Sequence, residues 1–161
     1  MGKILSVEIH PDAEALYVEK VDLGEPEPRT VVSGLVKYMS IEQMENKMVV
    51  LLCNLKPAKM RGIESQAMVL CATSSDGDRV EFLEPPSNSK PGDICNFEGY
   101  KGSPEPLLKS KQKTWENLQP QLFTNSKCIA SFINPLTKKE ALLSTAAGTV
   151  STKTISLAPI K

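Results

Sequence analysis

A chain of 161 residues, 40% of them hydrophobic, can bury a core without a metal or disulfide staple. Its 19 Lys/Arg balance 19 Asp/Glu, which argues against a uniformly basic nucleic-acid binder, yet residues 1–98 carry a net of −6 and residues 99–161 a net of +6. The cysteines Cys53, Cys71, Cys95 and Cys128 form no C-x-x-C pair, which speaks against a zinc ribbon, and no metal site or cofactor is expected.

Leu5–Ile9 alternates as a strand and stops at His10-Pro11-Asp12, a turn opener. The sole histidine, His10, reads there as a turn residue rather than a ligand or base. Leu16–Leu23 predicts a second strand ending at Gly24, and Thr30–Val36 a third, with Gly34 marking a bulge or a close backbone approach. Ser40-Ile41-Glu42-Gln43 has the spacing of a capping box and predicts a helix of about two turns. Met48–Asn54 and Ser65–Ala72 predict strands on either side of a loop, with Cys53 and Cys71 as buried thiols. Asp76-Gly77 is a hairpin signal before Arg79–Leu83, and Pro85-Pro86 interrupts the chain before a strand over Asp93–Phe97. Short strands with one small helix between the third and fourth give a mainly all-β fold, an OB-fold barrel, although other small barrels share the pattern.

After Gly99 the composition changes. Gly102–Pro106 is linker-like, and Ser110–Gln119 predicts a helix stopped by Pro120, with Trp115 and Leu118 on the docking face. Residues 122–161 are rich in Ser and Thr and too poor in apolar side chains for a separate core. The expected organisation is therefore a barrel over 1–98 and a C-terminal extension over 99–161 packed on it. No signal sequence or membrane span is expected, and reduced thiols suit the cytoplasm.

The loop between the two apolar runs carries Lys56, Lys59 and Arg61 within six residues, punctuated by Pro57 and Gly62. Displayed cations bind phosphate oxygens, Arg61 by a fork and the two lysines as point charges. A solvated turn would share that composition. Asn54 could reach ribose or a base edge, or simply form the turn. Lys109, Lys111 and Lys113 could extend the cationic surface or only begin a helix. Aromatic side chains are scarce in the barrel segment, so stacked single strands fit poorly and folded RNA read through its backbone fits better.

The run Asn54–Met68 resembles the signature of the tRNA-binding domain of the endothelial-monocyte-activating polypeptide II-like family, found also at the C-termini of some methionyl- and tyrosyl-tRNA synthetases. His10-Pro11-Asp12-Ala13 with Leu16–Gly24, Arg29–Val36 and Lys113–Glu116 resembles the same family, whose members usually begin a few residues earlier, so the first strand is expected to be clipped. The resemblance implies a non-catalytic, monomeric module that binds tRNA by shape and raises the tRNA affinity of an aminoacyl-tRNA synthetase, in cis or in trans. It adds Ser65 and Met68 as RNA contacts. Strict alternation puts residues three apart on opposite faces, so both can meet RNA only if Ser65 sits in the loop or at a bulge; otherwise Met68 is core. The competing class is a protein-interaction module, either an assembly domain or a released signalling polypeptide. No arrangement of nucleophile and base suggests an enzyme.

Overall fold

The structure, a computed structural model, describes residues 1–161 and is built almost wholly of short strands. β1 (Gly2–His10) and β2 (Ala13–Asp22) form a long antiparallel hairpin, and β3 (Arg29–Ser33) pairs with the far side of β2. A single-turn helix, α1 (Ile41–Met44), leads into β4 (Met48–Val49), which pairs with β1. The expected capping box is present, with the Ser40 N–H donating to Gln43 Oε1 at 2.8 Å, but the helix lasts one turn rather than two. Its C-cap Glu45 has an extended backbone (ψ 139), and buried Met44 already anchors the turn in the core.

The chain continues through β5 (Leu51–Leu52), then an excursion built from β6 (Ala58–Met60) and β7 (Ile63–Ser65), and returns as β8 (Met68–Val69) paired with β5. The free edge of β3 meets this returning segment. Gln66 N–H donates to Thr30 O at 2.8 Å and Val32 N–H to Ser65 Oγ at 2.9 Å. The ladder therefore runs β3, β2, β1, β4/β5, β8 and back to β3, a closed circuit of the OB type. Its interior is aliphatic: Ile4, Val21, Val31 and Val49 are all 0% exposed. Gly34 makes neither a bulge nor a close approach, since a Cβ there would meet only Leu16 Cδ2 at 3.9 Å. It lies just past the end of β3, where strand pairing has already stopped.

β9 (Cys71–Thr73) and β10 (Val80–Phe82) form the expected hairpin around Asp76-Gly77, with Gly77 at φ 77°. The strand expected over Asp93–Phe97 shrinks to β11 (Asn96–Phe97), and it pairs with the extension rather than with the barrel. The helix expected over Ser110–Gln119 is broken. A 3₁₀ turn (Ser110–Gln112) ends at Lys113, whose φ of 49° reverses the chain, before α2 (Thr114–Leu118). Pro120 does not end that helix but sits inside a following 3₁₀ turn, where its missing N–H costs nothing.

β12 (Leu122–Thr124), β13 (Ala130–Ile133), β14 (Glu140–Thr145) and β15 (Gly148–Thr149) complete a second sheet with β11. Its apolar side chains join barrel residues in one core: Val50, Leu70, Ala72 and Leu83 pack with Leu122, Phe132, Leu143 and Ile160. Trp115 and Leu118 dock against the same cluster. Each large aliphatic buried there contributes about 1.5–3 kcal/mol, so the extension is held by shared burial rather than by a core of its own.

Candidate nucleic-acid interface

Lys56, Lys59 and Arg61 are all exposed, and none forms an ion pair within the molecule. Lys59 and Arg61 ride on a hairpin rather than on a free loop, and Lys56 lies in the unpaired stretch that leads into it. Lys59 lies opposite Glu64 across β6–β7, and Arg61-Gly62 makes the two-residue turn with φ of 51° and 93°. Paired positive φ values match the tight primed turns whose twist suits a hairpin. Gly62 adopts its angle freely, whereas Arg61 carries a side chain in the left-handed region, at a cost of about 1 kcal/mol.

Two side chains fasten this hairpin. Arg29 donates from one guanidinium nitrogen to Cys53 O at 2.8 Å and to Gln66 O at 3.1 Å, the residues just outside the two ends of the basic excursion. Its other nitrogens fork onto Glu25 at 2.8 and 2.6 Å, which holds the Glu25 carboxyl below the usual carboxylate range. His10, at the end of β1 and 2% exposed, reaches the other end of the hairpin. Asp12 N–H donates to its Nδ1 at 3.0 Å, so the ring proton sits on Nε2 and is donated to Met60 O at 3.0 Å. His10 is thus the turn residue expected and, in addition, a tether one residue from Arg61.

The other candidates separate. Ser65 is buried, and its hydroxyl already accepts from Val32 N–H and donates to Ala67 O at 3.0 Å, fastening β7 to β3. Met68 is half-buried. The break at Gln66-Ala67 between β7 and β8 places Ser65 and Met68 on the wall of the same cleft, although Ser65 ends β7 rather than lying in the loop and Met68 also packs against the core shared with the extension. Asn54 is not on that wall. Its Nδ2 donates to Glu105 O at 3.0 Å and its main-chain carbonyl accepts from Leu108 N–H at 2.7 Å, so it faces the extension, with Oδ1 buried and unpartnered. That bond brings Lys109, the next residue after Leu108, to the base of the basic excursion, and Lys109, Lys111 and Lys113 are all exposed and without ion pairs.

Sequence reasoning missed Arg29, His10 as a tether, and Lys161. Lys161 pairs its backbone with Cys71 in both directions at 2.9 Å, and its side chain joins Lys56 on the cleft. No local signal marks a residue that acts by strand addition 90 positions away, and Arg29 looked only like the start of a strand. Burial disfavours the thiolate at Cys53, Cys71 and Cys95. Burial pushes Cys71 up to about 12 and Cys95 up to about 11.

The family described as "Putative tRNA binding domain" matches residues 1–94. Over 132 residues the chain is 56% identical to the aminoacyl tRNA synthase complex-interacting multifunctional protein 1 of Cricetulus griseus, covering 82% of this chain and 36% of that protein. Over 161 residues it is 48% identical to the cytoplasmic methionine–tRNA ligase of Arabidopsis thaliana, covering 100% of this chain and 19% of that one. The chain therefore spans well under half the length of either relative. The solved C-terminal domain of Plasmodium vivax p43 superposes with a TM-score of 0.89 at 29% identity, over 99% of this chain and 93% of that one. Since the match over residues 1–94 takes in more than half of the sequence, this chain belongs to the tRNA-binding domain family.

Proposed function

We propose that this chain is a non-catalytic tRNA-binding module that raises the tRNA affinity of an aminoacyl-tRNA synthetase, either within one polypeptide or as an associated partner in the cytoplasm. The observation that carries the reading is the set of unpaired cations Lys56, Lys59 and Arg61, two on and one leading into a hairpin tethered at both ends by Arg29 and His10. Held cations without internal partners lose little on meeting phosphates, and phosphate contacts carry no base sequence. Lys109, Lys111 and Lys113 extend the same surface. Met68 contributes from the cleft wall, while Ser65 and Asn54 act mainly by holding the hairpin and the extension in place. General acid–base chemistry has no support, because both ring nitrogens of the sole histidine are taken by main-chain groups. The extension covers an apolar barrel face, which supports a monomer.

Filter binding with total tRNA across a salt series tests this. Roughly three to five phosphate contacts give a log-affinity against log-salt slope of about −2 to −4. Replacing Lys56, Lys59 and Arg61 together by Ala should flatten that slope and weaken binding to all tRNAs alike. A triple variant that binds like the parent would remove the hairpin from the interface. A hundredfold preference for one tRNA would rule out backbone reading as the main mechanism.

A further inference from the structure

The cleft beside the basic hairpin holds about 410 Å³, room for one nucleoside but not for a helix. Its walls come from distant parts of the chain: Leu35 and Tyr38 after β3, Met60 on the hairpin and Met68 on β8. Exposed Lys56, just before the hairpin, and Lys161, 105 residues further on, line it as well. Resting on the tRNA-binding reading above, we infer that this cleft takes a single unstacked nucleobase of the bound RNA, with Lys56 and Lys161 on its flanking phosphates.

Three features favour a base over a partner protein's apolar side chain. The first is charge, since two unpaired lysines suit a ligand whose apolar part hangs from an anionic chain. The second is polar chemistry within the apolar wall. The Ser33 hydroxyl gives its proton to Glu19 and can only accept from a ligand, while Gln66 uses Oε1 on Thr30 N–H at 2.8 Å and keeps its amide protons free. A base edge presents a donor and an acceptor side by side, whereas an aliphatic side chain offers a partner to neither the Ser33 oxygen nor the Gln66 amide. The third is Tyr38, half-buried with no hydrogen bond to its hydroxyl; Lys37 Nζ stands 5.5 Å from its ring centroid, and the ring lines the cleft where the barrel otherwise has few aromatics. One such site is compatible with backbone reading elsewhere, because folded RNAs present isolated bulged or looped-out bases.

Three RNAs and the full chain decide it: a fully paired hairpin, the same hairpin with a one-nucleotide bulge, and that bulge with its base removed. The bulged RNA should bind roughly tenfold tighter than its abasic twin, as expected for one stacked base. The bulged RNA and its abasic twin should share one salt slope, since their phosphates are the same. Tyr38→Ala should erase the difference between base and abasic site while leaving the paired hairpin bound as before, which also shows that the variant is folded. Tyr38→Phe should restore the difference. Equal binding of bulged and abasic RNA by the parent protein, with the paired hairpin still bound, would overturn the cleft assignment alone. Failure to bind tRNA and all three RNAs would instead overturn the tRNA reading on which it rests. A Tyr38→Ala protein that still prefers the base would place that base elsewhere.

Discussion

His10 and Glu19 are both buried and polar, and they do opposite things to the barrel. His10 satisfies two main-chain groups at once, so His10→Ala should cost about 1–2 kcal/mol of stability, read by urea unfolding. The loosened hairpin should also bind tRNA a few-fold more weakly with an unchanged salt slope, because no phosphate contact is deleted. Glu19 points into the barrel, 0% exposed, with Oε2 unpartnered and Oε1 accepting from Ser33. Burial raises its carboxyl from the ordinary 4.5 to about 7, against the smaller lowering effect of the Ser33 hydroxyl. The folded state therefore holds this proton more tightly than the unfolded state. Its contribution is full below pH 4.5 and falls as pH rises through about 7, by at most roughly 3 kcal/mol. Urea unfolding at pH 5 and pH 8 should show that fall in the parent and a flatter profile in Glu19→Gln.

At the scale of elements, the basic hairpin was legible as a cationic display but not as strands. Ala58-Lys59-Met60 and Ile63-Glu64-Ser65 are three residues each, too short for a period of two to register, and Arg61-Gly62 is not one of the usual turn pairs. The short helix after Ser40 and the Asp76-Gly77 hairpin were legible because their turn chemistry is local. The Ser110–Gln119 segment misled, since a helical apolar pattern does not reveal that Lys113 turns left-handed. Arg29 sets the orientation of the hairpin from a distance, through carbonyls that sequence cannot mark as targets. Arg29→Lys keeps the charge but loses the fork, so it should cost about 1–3 kcal/mol and lower tRNA affinity without removing a cation from the hairpin. Amide hydrogen exchange should show the loss of protection confined to residues 54–66.

At the scale of the molecule, the barrel and its extension share a core, which the low apolar content after Gly99 foreshadowed. The partners across that core were not legible, because pairs such as Leu70 with Ile160 are set by topology rather than by any nearby pattern. Deleting the chain after Phe97 would uncover Val50, Leu70, Ala72 and Leu83. The truncated barrel should lose solubility or dimerise, seen by light scattering. Its tRNA affinity should fall most at low salt, where the lost net charge of +5 is least screened. A truncated barrel that stays monomeric with unchanged affinity would make the extension an independent appendage.

The two backbone bonds between Cys71 and Lys161 also set a timetable. On the ribosome, the donor and acceptor of Cys71 emerge about 90 residues before the strand that satisfies them. At roughly 5–20 residues per second that interval is of order 5–20 s, during which the edge of β9 stands open beside uncovered Leu70 and Ala72. An open strand edge next to apolar surface is the usual starting point for wrong pairing. The nascent chain is thus most exposed to aggregation and to holding chaperones between the emergence of Cys71 and that of Lys161.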